Sequence, residues 1–266
     1  MSEKYMNEKI LDILSEIEKE YNVKVLLAVE SGSRAWGFSS ADSDWDVRFI
    51  YIHSPEYYYS LTPQPDTINL MLDERNLDFS GWDLRKALGL LMKTNPGMSD
   101  WLHSPIIYKK DEEFLTRILE EEMLFYNPLK GMYHFLSLSK KHYNRYLQKD
   151  NITLKRFLYY FRGLLACRWI DKNGAHVPVL FDDLVNATIQ EEDIKTLVFD
   201  LLARKKTSRE HDLDNVSPTL INYAEQIENY YQERLPKMEI EGVLGREDDL
   251  IKLLMDMIEK YYISVR

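Results

Sequence analysis

Cysteine is nearly absent from this chain. Among 266 residues only Cys167 occurs, which excludes an internal disulfide and a thiolate zinc cluster and agrees with a reducing compartment. Long apolar runs are missing too. No stretch approaches eighteen consecutive apolar residues, so no membrane-spanning helix is expected. The first residues, MSEKYMNEKILDILSEIEKEY, mix acids with apolar positions and lack the basic, apolar and small-residue order of a secretion signal. A cytoplasmic protein without a membrane partner is the expectation. A basic surplus is also lacking: 34 Lys and Arg stand against 44 Asp and Glu, a formal net charge of -10. Uniform attraction to nucleic acid or an anionic membrane is thereby excluded, and only local basic clefts remain. Repeats, low-complexity tracts and glycine-serine linkers are missing as well, so the parts of the chain are expected to pack closely.

What is present reads in two blocks. Residues 5–21 carry Ile10, Ile13, Leu14 and Ile17 at helical spacing, after which Val23–Val29 (VKVLLAV) turns into a strand pattern ending in Glu-Ser-Gly-Ser. Trp45–Ile52 (WDVRFIYI) is a second strand, and Met71–Phe79 suggests two short antiparallel strands joined at 73–76. A helix follows over Trp82–Met92, stopped by Asn95-Pro96-Gly97. Beyond Asp111 the pattern is helical over 111–125, 128–148, 152–171, 190–205, 217–233 and 246–263, with its clearest turn at 171–179 (DKNGAHVPV). The fold class is therefore α+β: a small mixed sheet with flanking helices over residues 1–110, then an all-helical accessory domain over 111–266.

The chemistry concentrates in Glu30–Val47. Asp44 and Asp46 lie two apart at the entrance to a strand, so both carboxylates project from one face. Like charges held that close call for a divalent cation, because their repulsion would otherwise raise a pKa or destabilise the fold. Gly32 and Ser33 follow a strand and precede a helix, where a residue without a side chain and a neighbouring hydroxyl can approach phosphate oxygens. A few carboxylates completed by phosphate and water suit magnesium. A third acid is expected on a neighbouring strand, and Asp78 is best placed; Asp83 competes, although Gly-Trp-Asp-Leu also reads as a helix start. Each piece alone is a common turn sequence. Their order, strand, Gly-Ser, spacer, Asp-x-Asp, is what points to metal and nucleotide chemistry.

At these residues the chain resembles the DNA polymerase β-like nucleotidyltransferase superfamily, whose core motif is Gly-Ser, a spacer, then Asp-x-Asp. It is similar in particular to predicted nucleotidyltransferases of the RlaP or YcgL type, through GSRAWGFSSADSDWDVRFIY and GWDLRKALGLLMKTNPGMSDWLHSPIIY, where position 100 carries Asp in place of the more frequent Glu. The resemblance implies that Asp44, Asp46 and Asp78 hold two magnesium ions, or manganese in their place, for in-line transfer of a nucleoside monophosphate from an NTP, ATP included, with pyrophosphate release. By the same resemblance Asp78 accepts the proton of the acceptor, and Gly32 and Ser33 hold phosphate. An RNA end or tRNA is the first acceptor class it suggests; a protein hydroxyl or a small molecule is the second. A nucleotide-sensing or partner-binding module that does not turn over is the alternative.

Further residues carry two readings each. Arg34 can reach triphosphate oxygens or pair with Asp42 or Glu30. Arg48 shares the face of Asp46 and reads as structural, and Trp36 stacks on a base or covers a domain interface. Lys155, Tyr159 and Arg162 fall at i, i+4 and i+7, either a nucleotide-binding face or an ordinary solvated one. Lys140, Lys141 and Arg145, and the run Arg204–Arg209, are charged surface on which an RNA could lie. The six histidines are scattered without helical metal-ligand spacing, so histidine-ligated zinc is not expected.

Overall fold

A computed structural model describes residues 3–40, 42–72, 76–143, 153–207, 216–239 and 242–263. The strands are β1 (Val23–Glu30), β2 (Trp45–His53), β3 (Thr67–Leu72), β4 (Leu77–Asp83) and β5 (Ile107–Lys110). They form one sheet in the order β3-β4-β2-β1-β5. The pair β2–β4 is parallel, and β1–β2, β1–β5 and β3–β4 are antiparallel. The sheet is mixed, as expected.

Alternation along β2 explains what each face carries. Val47, Phe49 and Tyr51 point to one side and join Met6, Ile10, Leu14 and Ile17 of helix α1 (Glu3–Glu20) in a core. Ile50 and Ile52 point to the other, where they meet α4 (Leu84–Leu91), α5 (Pro96–Leu102), α6 (Glu112–Phe125) and α12 (Glu247–Ile258). Asp46 and Arg48 occupy the same period-two row as Ile50 and Ile52, so that row is polar where β2 begins and apolar where it ends.

Two local expectations shift. The helix anticipated from Trp82 begins at Leu84, because Trp82 and Asp83 still belong to β4 and Asp83 caps the helix by accepting from the Arg85 N–H at 2.9 Å. Asn95-Pro96-Gly97 ends one helix and also starts another, α5: Asn95 accepts from the Met98 N–H, and Pro96 takes the first helical position. Neither α5 nor β5 stood out from periodicity, because both are too short to establish one. The connection expected at 73–76 begins with 73–75, outside the described residues.

The second core is helical. It unites α7 (Pro128–His142), α8 (Leu154–Asn173), α9 (Phe181–Thr188), α10 (Glu192–Thr207) and α11 (Pro218–Arg234) around the buried face of α8, and Cys167 lies inside it as an apolar filler. Between the two cores the chain crosses more than once. Phe114 and Ile118 of α6 and Leu250 and Leu253 of α12 lie in the sheet's core, so residues on both sides of position 110 share it. No helix among the described residues is long and apolar enough to cross a membrane.

The two strands that carry the acids approach closely at one point. Phe49 and Gly81 are cross-strand partners, and a Cβ on Gly81 would stand 2.2 Å from the Phe49 ring. Gly81→Ala is expected to lower unfolding free energy by about 1–3 kcal/mol through overpacking, read from the midpoint of denaturant unfolding.

Candidate functional site

The site is built where β1, β2 and β4 begin or end together. After Glu30 the chain turns at Ser31, whose N–H donates to the Asp46 carbonyl at 2.9 Å. Gly32 follows with φ +62° and opens the single helical turn α2 (Gly32–Ala35). Its α-carbon lies so close to Asp46 that a Cβ would meet Asp46 Oδ2 at 2.3 Å. Both the left-handed backbone and the missing side chain are therefore required here. Ser33, next in the turn, is buried.

Asp46 and Asp78 are register partners on parallel strands. Arg48, two residues along the same face, bridges them: Nη2 donates to Asp46 Oδ1 at 2.8 Å and to Asp78 Oδ2 at 2.7 Å, and Nη1 donates to the Asp78 carbonyl at 3.0 Å. Burial pushes the Asp46 carboxyl up; Arg48 opposes that, while the charges of Asp78 and Asp44 add to it. Asp44 sits one residue ahead of β2, half-buried. Asp83 is not part of this group. It lies at the far end of β4, fully buried, where Tyr58 donates to it at 2.8 Å and His53 Nδ1 lies 3.0 Å away.

The donor set of Asp44, Asp46 and Asp78 is all hard oxygen, which suits magnesium. Gly32 leaves room for Asp46 Oδ2, which the side chain of any other residue would displace. The three acids do not close on one point. Among the described residues the trio whose donor atoms lie within 4.8 Å of one another is instead His103, Glu122 and His176. The acids thus fit a cation completed by phosphate and water, and not a closed protein cage.

Glu30, read from the sequence only as a candidate partner of Arg34, underpins this arrangement. It is completely buried; Oε1 accepts from the Asp46 N–H at 2.9 Å and Oε2 from the Tyr108 hydroxyl at 2.5 Å. Burial is the largest influence on it and raises its pKa from 4.5 to about 7. A lone Glu at a strand end carries no periodic signal, so only its burial discloses it.

Arg34 takes a role neither reading anticipated. Its Nε donates to the Asp44 carbonyl at 3.0 Å, its Nη2 to the Ser43 carbonyl at 2.8 Å, and its guanidinium lies 3.9 Å from the Trp45 ring centroid. It ties the turn at Gly32 to the segment carrying Asp44. Of the helix face of Lys155, Tyr159 and Arg162, Lys155 is the member whose charge acts on the acids. The Lys155 charge lowers the pKa of Asp46, and Tyr159 packs edge-on to Trp36 with ring centroids 4.8 Å apart. Arg162, expected at nucleotide, is instead buried: it donates to Asp100 Oδ1 at 3.0 Å and covers the Trp36 ring at 4.3 Å. Trp36 Nε1 completes this unit by donating to Asp100 Oδ2 at 3.3 Å. Burial behind an aromatic and a carboxylate makes Arg162 a brace between α8 and α5.

The basic run at 204–209 divides in the same way. Arg204 and Lys206 are exposed, but Lys205 is 1% exposed and donates from Nζ to Ser40 Oγ at 2.8 Å. Ser40 and Ser43 hydroxyls lie 3.1 Å apart, and the Ser40 N–H donates to Ser43 Oγ at 2.9 Å. A lysine of the helical core thus holds the loop leading to Asp44. Lys140 and Lys141 lie in the last turn of α7; Arg145, Ser208 and Arg209 lie outside the described residues.

With the geometry in place, comparison with known proteins is decisive at the level of family. The sequence profile of RlaP, described as the RNA repair pathway DNA polymerase beta family, matches residues 6–250. The chain belongs to the RlaP family. A curated relative, the uncharacterized protein YcgL of Bacillus subtilis (strain 168), is 35% identical over 257 residues, covering 97% of this chain and 98% of YcgL. A crystal structure of a nucleotidyltransferase-like protein from Exiguobacterium sibiricum 255-15 aligns over 98% of this chain and 91% of that one, at 16% identity and a TM-score of 0.35. In this chain Gly32 closes against Asp46, and the charge of Asp44 acts on it.

Two outcomes test how the site is held. A buried carboxyl raised from 4.5 to about 7 keeps its proton in the folded chain after the unfolded chain has lost it. Its stabilisation is present at low pH and is lost as pH rises from 4.5 through about 7. In chelator-treated protein, Glu30→Gln should abolish that decline, worth about 3 kcal/mol at the outside, when unfolding free energy is measured against pH; an unchanged slope would refute it. Lys205→Met leaves Ser40 without its donor and should cost about 1–3 kcal/mol, seen as a lower denaturation midpoint and faster amide exchange at 38–44.

Proposed function

We propose that this chain is a magnesium-dependent nucleotidyltransferase that moves a nucleoside monophosphate from an NTP to a hydroxyl, with an RNA end as the leading acceptor, and releases pyrophosphate. The observation that carries this reading is the placement of Asp46 and Asp78 abreast on parallel strands with Gly32 closed against Asp46. The family's association with RNA repair favours an RNA acceptor, tRNA included.

Asp44 and Asp46 would hold the cation, magnesium or manganese, with Asp78 on its acceptor side. When bound, the metal neutralises the triphosphate and the leaving pyrophosphate and favours an ionised acceptor oxygen. The chain's own residues supply the rest. Gly32 and Ser33 hold phosphate oxygens, and Arg34, whose Nε and Nη2 serve backbone carbonyls, offers Nη1 to the triphosphate. Lys155 adds positive charge from α8, and Tyr159 borders the sugar or base. The acceptor oxygen attacks the α-phosphorus, the bond to the β-phosphate bridging oxygen breaks, and the proton passes to Asp78. Before that transfer, Arg48 must release its hydrogen bond to Asp78.

That bridge favours a second reading. A guanidinium already seated on both acids suits a module that senses nucleotide without transferring it. The two readings separate in one assay, transfer of label from α-labelled NTPs to RNA ends and tRNA with magnesium present. Catalysis expects labelled RNA from wild type and a loss of about a hundredfold or more in Asp44→Asn/Asp46→Asn, since metal stabilisation is worth several kcal/mol. Asp78→Asn should lose transfer but keep nucleotide-induced stabilisation, whereas Asp83→Asn should lower stability and leave transfer per folded molecule intact. Nucleotide-induced stabilisation without label transfer would establish the sensing module, and retained transfer in the double variant would sink the proposed chemistry.

A further inference from the structure

Away from the carboxylate site, three segments distant in sequence deliver metal-ligating side chains to one place. His103 caps the C-terminus of α5, Glu122 lies in the last turns of α6, and His176 follows α8 in the turn toward α9. One ligand atom from each falls within 4.8 Å of the others. His103 Nε2 and Glu122 Oε2 are 2.6 Å apart, and the two imidazoles lie nearly parallel with centroids 3.6 Å apart.

The backbone of each is fixed by the fold. The His103 N–H donates to the Ser99 carbonyl at 3.0 Å, and the Glu122 carbonyl accepts from the Tyr126 N–H at 2.9 Å. Gly174, at φ +63°, ends α8 and reverses the chain, and Trp169 Nε1 donates to the His176 carbonyl at 2.8 Å. Such backbone tethers leave the side chains as the adjustable part.

Glu122 is 5% exposed, and its Oε1 is buried and makes no hydrogen bond of full geometry, although the Ser99 side chain stands near the carboxylate. A desolvated carboxylate oxygen with no donor is costly unless a cation or donor meets it. Beside the trio a cavity of 180 Å³ is lined by Glu122, Met123, Tyr126, Gly174, Ala175 and His176. It has room for water, and the Tyr126 hydroxyl is another buried polar atom without a partner.

We propose that His103, Glu122 and His176 form a binding site for a divalent transition metal, zinc in the first instance, with a fourth position open to water from the adjoining cavity. Two imidazoles and one carboxylate select a borderline metal over magnesium or calcium, which favour all-oxygen shells. Tetrahedral zinc with bonds of about 2.0–2.1 Å draws its ligands closer than they now stand. The stacked rings splay, and the proton shared between His103 Nε2 and Glu122 leaves that nitrogen. The ligated site clamps α5 to α6 and to the turn after α8, three residues from Asp100, which anchors Arg162 and Trp36. It is independent of the transferase reading, because none of its ligands belongs to that site.

The test uses the full chain, stripped with chelator, resupplied with zinc and desalted. Metal is counted by mass spectrometry, and affinity is read by competition with a chromophoric chelator. Wild type should keep one zinc per chain against millimolar magnesium, and zinc should raise its melting temperature. His176→Ala and His103→Ala should each weaken binding by about tenfold or more, since loss of outer-shell partners alone costs that much. Asp44→Asn/Asp46→Asn should keep zinc at full occupancy, which separates the two sites. Cobalt(II) substituted for zinc should give visible absorption bands in wild type that are lost in His176→Ala. Circular dichroism identifies a variant that fails to fold, and the half-exposed His176 is the ligand whose replacement least disturbs packing. Wild type that retains no zinc, or His176→Ala that binds it equally well, overturns the proposal.

Discussion

Two carboxylates side by side on parallel strands repel one another, and the rest of this molecule is arranged around keeping Asp46 and Asp78 there. Arg48 supplies the nearest opposite charge, with one nitrogen serving both acids. Glu30 fastens the Asp46 N–H from the neighbouring strand, while Gly32 leaves the space that Asp46 Oδ2 occupies. Burial makes each of these contacts stronger and also makes Asp46 and Glu30 harder to ionise. A cation with phosphate attached would relieve both the repulsion and the desolvation once Arg48 gives way to it.

The helical core does more than cover the sheet. Lys205 reaches out of it to the loop ahead of Asp44, and Arg162 binds Asp100 across the aromatic surface of Trp36. Lys155 adds its charge to the electrostatic environment of Asp46. Residues far apart in the chain thereby control the position and charge of two adjacent aspartates. The family match from residue 6 to residue 250 is consistent with this interdependence, since it spans both cores.

Much of the fold could be read from periodicity. The strands β1 and β2 and the long helices declare themselves because their apolar rows repeat over many residues. Short elements such as α5, α9 and β5 do not. The Gly-Ser and Asp-x-Asp residues were legible because their types and order carry chemical meaning. Asp78 was separable from Asp83 only loosely, by the helix-start character of Gly-Trp-Asp-Leu, and the register of β4 against β2 places it. Glu30, Lys205 and Asp100 were not legible as parts of the site, because burial, not sequence spacing, defines what they do. The same holds for His103 and His176, which are 73 positions apart and meet only through the turn at Gly174. Arg162 shows a different limit: helical spacing left its face open between nucleotide and solvent, and Asp100 and Trp36 claim its guanidinium.

The most direct measurement is a crystal structure with manganese and a non-hydrolysable NTP, in which anomalous scattering locates the metal. Manganese bound by Asp44 and Asp46, with triphosphate oxygens against Gly32 and Ser33 and Arg48 displaced from Asp78, is the expected result. Nucleotide bound elsewhere, or manganese absent from Asp44 and Asp46 while Arg48 still bridges Asp46 and Asp78, would contradict the metal–nucleotide site.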